Sequence, residues 1–218
     1  MRILGFADFH GRMDSVKQAS RLVSVKRPEV VVIAGDLANR DVQKAESILE
    51  ELSKFASKVL FVPGNMDEQA LANRKDNGRV VCLHGKGIAH DGAWFMGLGG
   101  AAASPFRAPF ELDEAEADQI LAGTVGASSS QFSVLVSHCP PKDTKVDLAA
   151  GRWHVGSEAV RRFIEKNRPT LVVCGHIHEA QGIDVIGKTS IVNVGPAAHG
   201  QYASISLLKP VKIELERF

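Results

Sequence analysis

Seven side chains of types that bind metal ions stand in five short polar blocks, each directly after an apolar, β-branched segment. They are, in chain order, Asp8, His10, Asp36, Asn65, His138, His176 and His178. None of them is a thiolate. This mixture of carboxylate, imidazole and amide donors suits Mn²⁺, Fe²⁺ or Zn²⁺ better than Ca²⁺ or Cu⁺. The blocks therefore predict a site for divalent transition-metal ions.

The spacing within the blocks supports this interpretation, although each block alone is weak. Asp8 and His10 are two residues apart, as are His176 and His178. In an extended chain, side chains at this spacing point to the same side. A glycine precedes three of the blocks and permits a tight turn there; these glycines are Gly35, Gly64 and Gly175. An isolated Asp-x-His or Gly-Asp is common in ordinary turns, so the prediction rests on all five blocks occurring together.

The segments between the blocks predict the scaffold that positions them. Short apolar strands are expected over 3–7, 30–34, 59–62, 80–83, 132–136 and 171–174. Helical patterns cover 13–25, 42–55, 68–73, 114–121 and 157–167, and the helix over 42–55 carries an apolar face that includes Phe55. This alternation is typical of parallel strands covered by helices. The carboxyl ends of such strands meet at one edge, where ligands bind.

The middle of the chain predicts antiparallel hairpins between the parallel units at its two ends. Asp91 and Gly92 form a tight turn between strands over 88–90 and 93–98, and a Gly- and Ala-rich surface loop is expected over 97–104. Three or four further strands are predicted, over 181–186, 190–194, 203–208 and 211–215. We expect two packed mixed sheets flanked by helices, in one domain that covers residues 1–218.

Composition narrows the functional classes. The 218 residues carry a net charge of +1, with 26 basic and 25 acidic side chains, which argues against binding of bulk nucleic acid. No apolar run reaches the roughly 18 residues of a membrane span, and Asp8 comes too early for a signal peptide. Three scattered cysteines do not form a disulfide framework. We expect a cytoplasmic protein; the oligomeric state is open.

The five blocks resemble the pattern D-x-H, G-D, G-N-x-D/E, H and G-H-x-H of the calcineurin-like metallophosphoesterase superfamily. The resemblance extends from Asp8 to about Asn193. It implies a four-layer αββα sandwich and a hydrolase of phosphoric esters. It also implies that Asp8, His10, Asp36 and His178 hold one ion, and that Asp36 bridges to a second ion held by Asn65, His138 and His176.

The resemblance implies two divalent ions, for which we expect Mn²⁺, with Zn²⁺, Fe²⁺ or Ni²⁺ as alternatives. A hydroxide that bridges the ions would attack phosphorus. Many members have histidine where this chain has Met66, and a thioether cannot donate a proton to the leaving group. Small prokaryotic members that lack this histidine resemble phosphodiesterases. We therefore expect hydrolysis of a small phosphodiester or nucleotide.

Other residues are candidates for catalysis and substrate binding. Asp67 or His199 could replace the missing proton donor, with His154 as a weaker candidate. Arg40, in a segment that resembles the phosphate-contacting Gly-Asp-x-x-Asp-Arg of phosphoprotein phosphatases, could bind phosphate with Asn65. The alternatives are a phosphomonoesterase, including a protein phosphatase, and a non-catalytic scaffold like the retromer subunit of this superfamily.

Overall fold

The structure is a computed structural model that describes residues 1–104, 107–126 and 130–218. Within these residues the strands form two six-stranded sheets and two small two-stranded sheets. The first large sheet contains β1 (Arg2–Phe6), β2 (Val30–Ala34), β3 (Val59–Val62), β4 (Val80–Cys82), β15 (Gln201–Ser206) and β16 (Lys212–Arg217). The order is β16-β15-β1-β2-β3-β4. β1 to β4 are parallel, and β15 and β16 add as antiparallel strands.

The second large sheet has the same mixed character. It contains β5 (Gly87–His90), β6 (Ala93–Leu98), β9 (Phe132–Ser137), β12 (Leu171–Cys174), β13 (Gly182–Ile186) and β14 (Thr189–Asn193). The order is β13-β14-β12-β9-β6-β5, with a parallel centre and antiparallel edges. The two small sheets pair β7 (Ala101–Ala102) with β8 (Glu111–Leu112) and β10 (Leu148–Ala149) with β11 (Trp153–His154).

Four α-helices cover the outer faces of the large sheets in the described part of the chain. They are α1 (Met13–Lys26), α2 (Val42–Ser53), α3 (Glu114–Thr124) and α4 (Glu158–Asn167). The sequence supplies the N-caps of three of them. The side chains of Asp41, Asp113 and Ser157 accept hydrogen bonds from the backbone amides three residues later. Such a cap typically stabilises a helix by about 1 kcal/mol.

Alternation along the strands divides the core into three apolar layers. Val31 packs with α1 and α2 on the outside of the first sheet. Its neighbours Val30 and Val32 point the other way, into the layer between the two sheets. Val172 belongs to the third layer, where α3 and α4 cover the second sheet. The predicted four-layer αββα sandwich is confirmed, and each fully buried side chain of this size contributes about 1.5–3 kcal/mol.

Two local predictions were wrong. α2 ends at Ser53, so Phe55 lies beyond it and is 54% exposed rather than part of its apolar face. Residues 97–101 are buried rather than a surface loop. A Cβ at Gly97 would collide with Leu83, so the glycine lets two segments approach. Pro105, which directly follows the predicted loop in the sequence, lies outside the described residues. No helix in the described ranges has the length and apolar character to cross a membrane.

Candidate metal centre

The seven predicted ligands follow the carboxyl ends of five parallel strands. Three blocks follow β1, β2 and β3 of the first sheet, and two follow β9 and β12 of the second. The two sheets pack face to face, so these ends lie at the same edge of the sandwich. Backbone hydrogen bonds join the neighbouring turns: the amide of Asp8 donates to the Gly35 carbonyl and that of His10 to the Asp36 carbonyl, both at 2.9 Å.

The backbone of the site is not the extended chain that the two-residue spacing predicted. Four ligands have left-handed φ angles, namely Asp8 (55°), His10 (48°), Asp36 (53°) and His176 (70°). Such conformations are rare for residues other than glycine and cluster at functional sites, where the surrounding structure enforces them. The side chains of each pair are therefore brought together by tight turns and not by strand alternation.

The glycines before the blocks also act differently from the prediction. Gly35 does adopt a left-handed turn, with φ of 91°. Glycine is needed at positions 64 and 175 because a Cβ atom at either position would have no room. A Cβ at Gly64 would collide with the Asp36 carboxylate, and one at Gly175 would lie 2.6 Å from Asp8 Oδ2. These two glycines let the backbone approach the carboxylates.

The first ligand group contains Asp8, His10 and His178, whose ligand atoms lie within 4.8 Å of one another. His10 Nε2 lies 3.2 Å from His178 Nε2, and His178 Nε2 lies 3.5 Å from Asp8 Oδ1. His10 Nδ1 is 2.7 Å from Asn39 Oδ1. Because this oxygen accepts, Nδ1 carries the proton and the Nε2 lone pair is free to bind an ion.

The second ligand group contains Asp8, Asp36 and His138. His138 is fully buried, and its Nδ1 donates to the Ala34 carbonyl at 2.7 Å. Its Nε2 lies 2.9 Å from Asn65 Oδ1 and 3.6 Å from Asp36 Oδ1. The His176 ring packs edge-on against the His138 ring, with centroids 4.9 Å apart. Asp36 Oδ2 also lies 3.8 Å from His10 Nε2, so Asp36 stands between the two groups.

The hydrogen bonding of these groups fits bound cations. Asp8 Oδ1 is buried and has no hydrogen-bond partner among the described residues. A buried carboxylate oxygen without a partner is strongly disfavoured unless a cation compensates it. His138 Nε2 lies 2.9 Å from Asn65 Oδ1, and His10 Nε2 lies 3.2 Å from His178 Nε2. A cation between these atoms would take them as ligands.

The pKa values show which groups are ready to bind cations. Burial raises the pKa of Asp36 to about 6, although the charge of His138 opposes this effect. Burial and the charge of His138 lower the pKa of His176 to about 3, so its imidazole is neutral at pH 7. Burial acts to raise the pKa of Asp8, but the close approach of the His178 imidazole and the charges of the neighbouring imidazoles lower it overall. A nearby cation would favour the ionised form of both carboxylates.

Comparison with known proteins shows the family of the chain. Residues 1–180 match the family model described as calcineurin-like phosphoesterase. The chain belongs to the calcineurin-like phosphoesterases. This places it among metal-dependent hydrolases of phosphoric esters, and the two ligand groups above are candidate sites for its divalent ions.

Relatives of this calcineurin-like phosphoesterase extend over most of its length. It is 31% identical to an uncharacterised protein of Methanocaldococcus jannaschii over 208 residues, which cover 93% of this chain and 91% of the relative. A crystal structure of a Thermus thermophilus protein matches 99% of this chain and 98% of its own, with TM-score 0.79 and 18% identity.

Two further solved structures carry functional names. A dimetal phosphatase from Danio rerio matches with TM-score 0.63 and 13% identity, covering 100% of this chain and 96% of its own. An archaeal phosphodiesterase matches with TM-score 0.59 and 13% identity, covering 100% of both chains. At this identity the likeness shows a shared fold, and it favours neither a monoester nor a diester substrate.

A cleft of about 750 Å³ opens beside the second ligand group of the phosphoesterase, with Asn65 and His176 in its wall. Arg40 and Arg107 also line it. Arg40 has a left-handed φ of 69°, and its backbone amide donates to the Met66 carbonyl at 2.8 Å. The predicted substrate-binding residues Arg40 and Asn65 therefore face one cleft. The rest of its wall is mainly apolar and includes Met66, Ala102, Ala103, Pro109, Ala149 and Val155.

Asp67 lies close to the ligands but is directed at the backbone. It is 1% exposed, and its Oδ2 accepts hydrogen bonds from the amides of Leu37 (3.0 Å) and Gly64 (2.9 Å). Its Oδ1 accepts from the amide of Ala38 at 2.9 Å. Both oxygens are thus occupied by amide donors. This geometry holds the turn after β2 against the turn after β3, and it gives Asp67 a positioning role.

The other two candidates for proton transfer are not members of the two ligand groups. His199 ends a 3₁₀ turn (Ala197–His199), is exposed, and belongs to neither ligand group. His154 Nδ1 lies 2.7 Å from Asp147 Oδ1. Asp147 is fully buried and also accepts from the amides of Thr144 (2.8 Å) and Gly156 (3.0 Å), so this contact organises the loop that carries β10 and β11.

Two residues of the site were not found from the sequence. Asn39 holds the His10 ring, and it stands where the phosphatase segment Gly-Asp-x-x-Asp-Arg has its second aspartate. Its φ is left-handed (45°), a conformation that asparagine tolerates well. An asparagine in the turn after β2 is therefore the sequence signal that could have marked this residue. Arg107 lines the cleft from a segment with no recognisable motif.

Proposed function

We propose that the protein is a two-metal phosphodiesterase that hydrolyses a small phosphodiester or nucleotide. The observation that carries this proposal is the pair of ligand groups that share Asp8, with Asp36 between them and a buried Asp8 oxygen that lacks a hydrogen-bond partner among the described residues. When bound, two divalent ions would supply Lewis-acid stabilisation and an activated water. The nitrogen and oxygen donors are compatible with Mn²⁺, which we propose as the physiological ion.

The residues around the predicted ion sites favour a phosphodiester substrate over a phosphomonoester. Met66 occupies the position at which many family members have a histidine, and its thioether cannot protonate a leaving group. The cleft of about 750 Å³ beside Asn65 provides room for a second substituent on phosphorus. The guanidinium of Arg40, which lines this cleft, would bind a phosphate oxygen of the substrate and orient it.

The cellular setting is part of the proposal. The three cysteines, Cys82, Cys139 and Cys174, are free and buried, which is compatible with the reducing cytoplasm. A net charge of +1 supports a small substrate over bulk nucleic acid.

The proposal is tested with bis-p-nitrophenyl phosphate and p-nitrophenyl phosphate, using metal-stripped protein to which Mn²⁺, Zn²⁺, Mg²⁺ or Ni²⁺ is added back. We expect diester hydrolysis that requires metal and falls at least about 10³-fold in Asp36→Ala, because Asp36 contacts both ligand groups. A preference for the monoester would indicate a phosphomonoesterase. Failure to bind two ions per chain, measured by elemental analysis, would indicate a scaffold.

A further inference from the structure

The cleft beside the metal centre combines two positive charges with a surface suited to a flat apolar group. Arg40 and Arg107 both line it, and neither side chain forms an ion pair within residues 1–104, 107–126 and 130–218. By contrast, Arg74 and Arg162 pair with carboxylates elsewhere on the surface. Two unpaired guanidinium groups beside a phosphoryl site can bind a second phosphate by charge-assisted hydrogen bonds.

A hairpin extends the cleft wall to an exposed tryptophan. Ala149 on β10 is directly opposite Trp153 on β11, so the two side chains lie on one face of the hairpin. Val155 is two residues further and shares that face. Ala149 and Val155 line the cleft, and Trp153 is the next side chain to them on that face of the hairpin, outside the lining itself. Its side chain is 54% exposed, and the Arg152 guanidinium lies 3.8 Å from its ring centre.

The hairpin is held in place by interactions that do not involve the cleft. Asp147 is fully buried and accepts hydrogen bonds from both ends of the segment, as described above. The amide of Ala150 donates to Glu179 Oε1 at 3.0 Å, which ties the hairpin to the turn after His178. The indole is therefore presented on a supported wall. Stacking of a nucleobase on such an aromatic ring is worth about 1–3 kcal/mol.

The cleft contains no evident proton donor for a leaving group. Apart from the two arginines, the only titratable side chain among its described lining residues is His176, a predicted metal ligand. Met66 fills the position from which a family histidine would donate. A leaving group must therefore depart as a stable anion. A sugar alkoxide is a poor anion, whereas a phosphate monoester, whose second pKa is about 6, is a good one.

We propose that the substrate is a nucleoside diphosphate that carries a second organic group on its terminal phosphate and is cleaved between the two phosphates. The base stacks on Trp153, and Arg40 and Arg107 bind the phosphate that leaves. A new bond forms between phosphorus and the oxygen of water, and the bond from phosphorus to the bridging oxygen breaks with its electron pair on that oxygen. The products are two phosphate monoesters, and the two protons of water pass to solvent.

This inference rests on the proposed function for its hydrolytic step, so its first test compares substrates on the metal-loaded wild-type protein. ADP-ribose is compared with adenylyl-3′,5′-adenosine, which offers the same base but a sugar alkoxide as leaving group. We expect kcat/KM to be about 10²–10⁴-fold higher for ADP-ribose, the range that a missing general acid produces. If bis-p-nitrophenyl phosphate is hydrolysed but the two nucleotides react equally, the phosphodiesterase stands and this inference is overturned.

The second test measures binding without catalysis. Metal-stripped protein is titrated calorimetrically with α,β-methylene-ADP and, separately, with methylenediphosphonate. We expect Arg40→Gln and Arg107→Gln each to weaken binding of both probes about 10-fold or more. We expect Trp153→Ala to weaken binding of the nucleotide about 5-fold or more and to leave the diphosphonate unchanged.

Arg21→Gln is the matched control for charge, because Arg21 is an exposed arginine on α1. It should bind both probes like the wild type. Equal affinity of the wild type and the three cleft variants for α,β-methylene-ADP would overturn the inference, whatever the activity of the metal-loaded protein. The inference would also be overturned if Arg21→Gln weakened binding of the probes as much as the cleft variants do. The weakening would then come from the loss of net positive charge and not from the cleft.

Discussion

Replacing Asp67 by asparagine tests whether this carboxylate positions the metal ligands or transfers a proton. In the most favourable orientation of the new amide, its oxygen keeps the bonds from Leu37 and Gly64, and its NH₂ group faces the amide of Ala38. Two buried donors then lack acceptors. Each orphaned donor costs about 1–3 kcal/mol, so we expect a loss of about 2–6 kcal/mol in the free energy of unfolding.

Two effects refine this magnitude. The two bonds that remain lose the assistance of the negative charge, which increases the loss. The charge of Asp67 also contributes to the raised pKa of Asp36, so its removal relieves repulsion and offsets part of the loss. The two effects oppose each other, so the expected loss stays at about 2–6 kcal/mol. Binding of the second ion should weaken as well, because the turn held by Asp67 carries Asn65.

The measurement is urea unfolding of the metal-stripped protein at pH 7, where a shift in midpoint at constant slope reports stability. Glu68→Gln makes the same chemical change at the next residue, whose side chain forms no hydrogen bond seen in the described residues, and it should stay within about 0.5 kcal/mol of the wild type. The reasoning fails if Asp67→Asn is equally stable and binds metal normally yet loses hydrolysis, since that pattern would indicate proton transfer.

Three further predictions concern the ligands and their surroundings. Asn39→Ala should weaken metal binding about 10–100-fold in calorimetry, because His10 loses the acceptor that fixes its ring, and Asn39→Asp should restore it; unchanged affinity of the alanine variant would contradict this. His199→Gln should keep kcat/KM for bis-p-nitrophenyl phosphate within about twofold of the wild type, whereas a loss of about 10²-fold would indicate general acid catalysis. In metal-stripped protein the raised pKa of Asp36, about 6, means that the folded state holds the proton more tightly, so stability falls as pH rises from 4 to 6. Asp36→Asn should remove this decline and should have a higher melting temperature than the wild type at pH 8. If the melting temperatures of the two proteins in EDTA change in parallel with pH, the prediction is wrong.

The sequence by itself determined the architecture and the residues at its functional edge. Short apolar strands that alternate with helical patterns have one stable arrangement in layers, because a strand that is apolar on both faces must bury both of them. In the structure Val31 faces the helices, whereas Val30 and Val32 face the layer between the two sheets. The five polar blocks were also readable, because the carboxyl ends of parallel strands meet at one edge wherever such a sheet forms.

Only the tertiary structure decided how these residues meet. The left-handed φ angles of Asp8, His10 and Asp36 are enforced by hydrogen bonds between turns that are distant in sequence, so local propensity could not predict them. The contact of Asn39 with His10 and the approach of Gly175 to Asp8 have the same origin. The hairpin that carries Ala149 and Trp153 depends on the buried carboxylate of Asp147, which no motif marks. Local patterns report what each segment favours, whereas the geometry of a site depends on contacts between segments.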